Sequence, residues 1–326
     1  MRKIIYLIAA ILLLRGNNLS SQTLGEKLSL INGIYSDKYL EPLNLAMGMN
    51  LNSGYVGTTN MQRVANLPVN MVLFFGVNTS AVFLQDKDRT FSVNYFDSVM
   101  VNIEGTNQKV GANISLQNAP TIFGSTSPAV ANVTYNNNGT QETIQRTFVG
   151  GMANTSTIPF IVPQIGVGSI YGADITVRFV PRMTIGQYGE IMFTGVGIRY
   201  NLNYLLKKLP MGLGVQSGFQ NFNIVDDNGV KFFNANSFFA NVQVSKSIRR
   251  LSLYGALQYE TFNTDVTYSY TNMTGENYGV YYTKNSSANV RGVIGVGLNL
   301  IPVIINADLN FGKRLMVTLG LGFGLR

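Results

Sequence analysis

The chain has 326 residues, 46% apolar and only 12% charged, with 24 Lys+Arg against 16 Asp+Glu. It contains neither Cys nor His, which excludes disulfides, thiolate or imidazole metal sites, and catalysis that turns on a His base or a Cys nucleophile. No Lys/Arg run tracks a phosphate backbone, so nucleic acid is not an expected partner.

In chain order, Arg2 and Lys3 precede an apolar run at 4–14 and a polar stretch at 15–21. This is the pattern of a secretory signal peptide over 1–21, because the run falls short of the roughly 20 residues of a membrane span. Loss of Arg2, Lys3 and Arg15 leaves 21 − 16 = +5. In residues 22–54, Leu43, Ala46, Met47, Asn50 and Leu51 recur at helical spacing, with Pro42 suited to a first turn and Gly54 to a stop. This short helical segment either plugs a lumen, guards its periplasmic mouth, or packs beneath a barrel to fill space. A first strand follows at Val69, Met71, Leu73, Phe75 and Val77. Residues 86–118 and 125–157 are polar and irregular and read as hairpins and loops, with Asn138-Gly139 suited to a type I′ turn.

Period-two alternation then continues to the C-terminus. Ile175, Val177 and Phe179 oppose Asp174, Thr176 and Arg178; Phe238, Val242 and Val244 oppose Ser237, Asn241 and Gln243; Leu319, Leu321 and Phe323 oppose Thr318, Gly320 and Gly322. One face stays free of charge in strand after strand, as lipid requires. A soluble sandwich would carry more Lys and Glu outside and shorter strands. The sequence therefore predicts an all-β protein, a transmembrane antiparallel barrel of about 12 strands (roughly 10 to 14), over residues 55–326. Counted back from a periplasmic C-terminus, the links at 203–209, 247–250 and 301–302 fall inside and are short, whereas 223–234 and 262–289 fall outside and are long. Asn228-Gly229 reads as a hairpin tip, and Tyr268, Tyr270, Tyr278, Tyr281 and Tyr282 as a rim girdle or a binding surface.

The remaining chemistry is carboxylate and guanidinium. Asp174, Arg178, Arg182, Arg199, Glu260, Arg291 and Asp308 are expected to line the lumen. They form either a polar, anion-selective path or a salt-bridge network that fills a small barrel. Asp226-Asp227-Asn228-Gly229 lacks the ligand spacing of a calcium loop. The pairs Gly166/Gly168 and Gly195/Gly197 stand in strands, not at a strand-to-helix junction, so they read as small lumen-side residues rather than a nucleotide loop. No cofactor, metal or catalytic residue is expected.

The strings APTIFG at 119–124, IPFIVPQIGVG at 158–168, GADITVRFVP at 172–181 and GVGIRYN at 195–201 resemble an uncharacterised outer-membrane barrel family of Bacteroidota, known only as a domain of unknown function. The resemblance runs from about Tyr39 to the C-terminus; it implies a barrel and carries no catalytic residues. Helices ahead of the first strand are also similar in architecture to the long-chain fatty-acid channels, although the opening motif of that family is missing. The expected function is an outer-membrane barrel, not an enzyme, that serves as a channel or transporter for a small or hydrophobic solute. The alternative is a closed structural or surface-binding barrel, and enzymatic use of the carboxylates stands third. Outer-membrane lipids and the barrel assembly machinery are the expected partners.

Overall fold

The structure, a computed structural model, describes residues 23–57, 72–185, 189–206, 209–225, 231–272, 274–300 and 302–325. The signal peptide read at 1–21 and the turn read at 228–229 lie outside the described residues.

Two helices come first, α1 (Leu24–Leu28) and α2 (Gly33–Leu51). A capping box sets α1: the Thr23 hydroxyl accepts from the Glu26 N–H, and the Glu26 carboxylate accepts from the Thr23 N–H. The Asn32 side chain accepts from the Tyr35 N–H at 2.9 Å and starts α2. Gly54, at φ +69°, turns the chain after its end as expected. The expected helix start at Pro42 is corrected, because Pro42 lies in the interior of α2. An interior proline costs about 3 kcal/mol through a lost hydrogen bond and a steric clash. α2 tolerates it because Tyr35, Tyr39, Leu40, Leu43, Met49 and Leu51 are all buried. A helix enclosed on most sides keeps only the narrow exposed edge of Ile34, Lys38 and Glu41, so it lacks the broad polar stripe that would announce its true start.

Among the described residues, ten strands close into one antiparallel barrel. They are β1 (Val72–Phe83), β6 (Thr157–Ile170), β7 (Ala173–Thr184), β8 (Glu190–Asn201), β9 (Gly212–Val225), β10 (Lys231–Ile248), β11 (Leu251–Thr271), β12 (Asn277–Asn299), β13 (Val303–Phe311) and β14 (Leu315–Leu325). β1 closes the ring between β6 and β14. The wall therefore has ten strands rather than about twelve. The residues expected as hairpins and loops between β1 and β6 fold as a separate four-stranded sheet, β2 (Thr90–Ile103), β3 (Thr106–Pro120), β4 (Ala129–Asn137) and β5 (Thr140–Phe148). The faces of this sheet explain its exclusion from the wall. Ala112, Ile114, Leu116, Ala131 and Val133 are buried, while the opposite face offers Asn113, Ser115, Asn132 and Thr134. That face suits water, not hydrocarbon. Its β4–β5 turn has positive φ at both Asn138 and Gly139, as a type I′ turn requires.

The alternation read from the sequence matches the wall. Val177, Ile198, Phe219, Val242, Leu257, Ile294, Leu309 and Leu319 point outward and are exposed, whereas Arg178, Gln220, Gln243, Gln258, Arg291, Asp308 and Thr318 point inward and are buried. The strand ends Ile170 and Ala173, Asn201 and Gly212, Ile248 and Leu251, and Asn299 and Val303 gather at the end of the barrel that holds the end of β14, hereafter the turn end. The four-stranded sheet follows β1 at the other end and forms a cap. The segment expected as a long loop at 262–289 is a β-ribbon instead, because β11 and β12 stay paired out to Thr271 and Asn277. β13 has only 9 residues, so the wall is low at the β13–β14 hairpin and tall at β11–β12.

Candidate functional site

Barrel width explains why something must fill the lumen. With strands about 4.8 Å apart and tilted about 40°, eight strands give a radius of about 8 Å, which side chains fill, and ten give about 10 Å. The N-terminal segment occupies the difference. Toward the cap end, Phe160, Phe193, Phe222 and Phe233 face inward and pack edge to face, with ring centroids 5.6–6.2 Å apart. They belong to one continuous buried apolar cluster with Leu40, Leu43, Ala46 and Met47 of α2 and Val99, Ile114, Leu116 and Phe148 of the cap. Tyr35 of α2 lies 5.0 Å from Phe91 and 5.8 Å from Phe148, and its hydroxyl donates to the Val149 carbonyl. Burying Tyr35, Tyr39, Leu40, Leu43, Met47, Met49 and Leu51 stabilises the arrangement by an upper-bound total on the order of 10–20 kcal/mol. α2 is therefore part of the core.

Below that apolar storey the lumen turns polar, and two wall arginines grip the end of α2. A helix end leaves its last carbonyls without partners and carries partial negative charge, and α2 has no basic residue in its last turn. Arg291 of β12 supplies the cation, donating to Met49 O at 3.0 Å and Asn52 O at 2.8 Å while pairing with Glu260 at 2.9 Å. Arg178 of β7 donates to Ser53 O at 2.6 Å and to Gln164 at 3.2 Å, and its guanidinium lies 3.4 Å from the Tyr55 ring centroid. Arg178 pairs with no carboxylate among the described residues. Gln220 and Gln258 donate to the Asn52 side chain and carbonyl. Gly197 makes room for Tyr55, since a Cβ there would come within 2.6 Å of the ring. Near the turn end Arg199 pairs with Asp174 at 2.7 Å, and the Tyr254 hydroxyl donates to Asp308.

A second feature lies at the cap end. A cleft of about 700 Å³ opens between α2, the start of β2, the tall upper part of β12 and the low β13–β14 turn. Pro42, Leu45, Met49, Phe91 and Phe262 give it apolar walls. Lys38, Lys87, Lys284, Lys313 and Arg314 line it, together with the carboxylates of Glu41, Asp88 and Glu260. Arg314 is held by Asp88, Lys284 by Asp37 at 2.8 Å and Lys38 by Glu41 at 3.6 Å. For Asp88, burial opposes ionisation, but the hydrogen bond from Arg314, the Gln85 N–H and nearby cations outweigh it and hold the carboxyl below its usual range.

A model of a "Family of unknown function (DUF6588)" matches residues 1–325. The chain belongs to this family. No curated protein matches it. Among solved structures, it is similar to a loop-deletion mutant of OmpT of Vibrio cholerae at 11% identity, covering 78% of this chain and 99% of that one, with a TM-score of 0.25. It is likewise similar to the toluene transporter TodX of Pseudomonas putida at 8% identity, covering 93% and 98%, with a TM-score of 0.24. At such scores these likenesses carry nothing over to the DUF6588 chain.

Of the residues expected in the lumen, this DUF6588 barrel places Asp174, Arg178, Arg199, Glu260, Arg291 and Asp308 inside and buried. Arg182 differs. A register shift between Val180 and Met183 breaks the alternation there, and Arg182 lies exposed at the rim, 3.5 Å from Glu190. Asn44, Asn52 and Tyr55 are interior residues that no local pattern marks. The five tyrosines divide. Tyr268 donates to Ile31 O and Tyr270 to Asp97, and Tyr282 lies 3.5 Å from the Ser36 hydroxyl, so these three hold the helices and cap. Tyr278 and Tyr281 stay exposed.

Proposed function

We propose that this protein is a bacterial outer-membrane barrel, closed at rest by its own N-terminal segment, that acts by capturing a ligand at its outer, capped end rather than by conducting. The membrane assignment is supported by the ring of exposed, uncharged apolar residues around the wall and by the signal peptide read at 1–21. Lipids of that membrane and the barrel assembly machinery are the corresponding partners. The observation that carries the closed reading is the continuous apolar core joining α2, barrel mouth and cap. A gate that had to leave would expose that core. No enzymatic role is proposed, and the lack of His and Cys supports that view.

One observation favours a second reading, a channel for a small or hydrophobic solute. Arg178 has its charge met by the segment rather than by the wall, so withdrawal of the segment would leave a polar passage with fixed positive charge. Planar-bilayer conductance of the refolded mature protein, beside a version lacking residues 23–53, separates the two. Silence from the full-length barrel supports closure. Discrete conductance from it overturns closure and favours the channel. Anion preference in the shortened version would identify Arg178 as the charge that selects.

A further inference from the structure

The cleft at the cap end holds an unmet demand. Asn44 of α2 lines it, is only 7% exposed, and neither its Nδ2 nor its Oδ1 has a hydrogen-bond partner. A buried amide without partners costs about 1–3 kcal/mol by the ordinary desolvation penalty, so a ligand offering both a donor and an acceptor would be rewarded there. At the mouth, Lys87 and Lys313 are exposed and form no salt bridge among the described residues, unlike Arg314, Lys284 and Lys38, although Lys87 lies near enough to Asp88 to favour its ionised form. Glu260 at the cleft floor is already neutralised by Arg291. The cleft therefore presents free positive charge at its mouth, an apolar wall of Leu45, Met49, Phe91 and Phe262, and a bare amide between helix and wall. Its size lies within the roughly 300–1,000 Å³ of small-molecule sites.

The position of the mouth narrows the ligand class. Lys313 lies in the turn of the low hairpin, directly between Phe311 and Leu315, which are 49% and 46% exposed on the outward apolar face. The cleft thus opens where the lipid-facing surface ends, the level at which an amphiphile keeps its head in water and its chain in hydrocarbon. We propose that this cleft binds one acyl amphiphile with an anionic head, its head at Lys87 and Lys313, its amide or ester at Asn44 and its chain along Leu45, Phe91 and Phe262. This deepens the surface-capture reading and rests on it for the biological role, but the binding itself does not require a closed lumen.

The test is a calorimetric titration of the full-length barrel in an uncharged detergent with N-lauroylglycine, which carries all three elements. Two controls each lack one: N-acetylglycine has no chain, and N-lauroylethanolamine has no charge. The expected result is one saturable site, weakened about tenfold or more by loss of the charge, by Lys87→Ser/Lys313→Ser and by Asn44→Leu. No comparable binding of N-acetylglycine is expected. Equal binding of N-acetylglycine would replace the amphiphile with a soluble anion, and equal binding of the uncharged amide would remove the role of the lysines. Either result overturns the proposal. Asn44 is buried and its variant risks misfolding, so the exposed double-lysine variant decides the matter: unchanged affinity there refutes the assignment. Conductance is a separate readout. A barrel that conducts and still binds the probe refutes closure alone, whereas a silent barrel that binds nothing refutes the cleft alone.

Discussion

Replacing Glu260 with Gln measures whether the lumen is dry. Arg291 is 1% exposed and Glu260 4% exposed. Their ion pair of 2.9 Å is the only carboxylate contact of Arg291 among the described salt bridges; its other hydrogen-bond acceptors are the carbonyls of Met49 and Asn52. A guanidinium cannot shed its proton, so Glu260→Gln leaves a buried cation without its direct carboxylate partner. In a dry site, breaking a buried pair from one side costs about 3–5 kcal/mol; an exposed pair is worth at most about 1 kcal/mol. The reciprocal change, Arg291→Met, should cost less than Glu260→Gln. Glu260 keeps donors from Gln258 at 3.1 Å and Asn289 at 2.9 Å. The double variant Glu260→Gln/Arg291→Met should recover most of the loss, since a buried pair often exchanges for neutral groups at little cost. The assay is denaturant unfolding in lipid vesicles, read by heat-modifiable gel mobility across all four members of the cycle. A loss below about 1 kcal/mol for Glu260→Gln would refute a dry site for the pair and indicate water reaching it, from the cleft that Glu260 lines or along the lumen.

Other expected outcomes follow from the same geometry. Gly197→Val should destabilise the barrel by about 1–3 kcal/mol through overpacking against Tyr55 and increase protease cleavage within residues 54–57; protection equal to the parent would show that Tyr55 does not lie against that strand. Val177→Arg, on the outward face, should cost about 2–4 kcal/mol in a bilayer if it sits near the midplane, whereas Asn132→Arg on the cap should be nearly neutral; equal effects would contradict the lipid-facing assignment. The tip of the β11–β12 ribbon should loosen in acid. Lys109, then Tyr278, Asn272 and Thr274, hydrogen-bond Glu276 and hold its pKa at about 2 against an ordinary 4.5. A depressed carboxylate contributes in full above the unfolded value and is lost as pH falls through the folded one, so the tie to β3 should fail between 4.5 and about 2. Spin labels at Gln108→Cys and Gly275→Cys, convenient in a chain without native Cys, should show the distance broaden over that window, and Lys109→Met should remove the pH dependence.

The wall was legible because its signal is local. Two faces alternate with period two, and one of them carries no charge, so Val177 against Arg178 or Leu309 against Asp308 declares its side without knowledge of any neighbour. The lumen residues were legible for the same reason, and Arg182 was misplaced where a register shift broke the alternation. The cap was misread because its strands alternate too, but against an apolar core on one side and water on the other. Their polar outer faces looked like loops.

The sequence by itself therefore determined that strands form, which face of each is apolar and turned outward, and which charged groups turn inward. Only the tertiary structure decided that ten strands close the ring, that α2 enters from the capped end, and that Arg178 and Arg291 both hold carbonyls at the end of the helix while Arg291 also pairs with Glu260. The physical reason is range. Alternation is set between adjacent residues, whereas closure, plugging and the capture of helix-end carbonyls join segments more than a hundred residues apart, such as Ser53 with Arg178 and Met49 with Arg291. Those partners are chosen by the shape of the space the wall leaves to be filled.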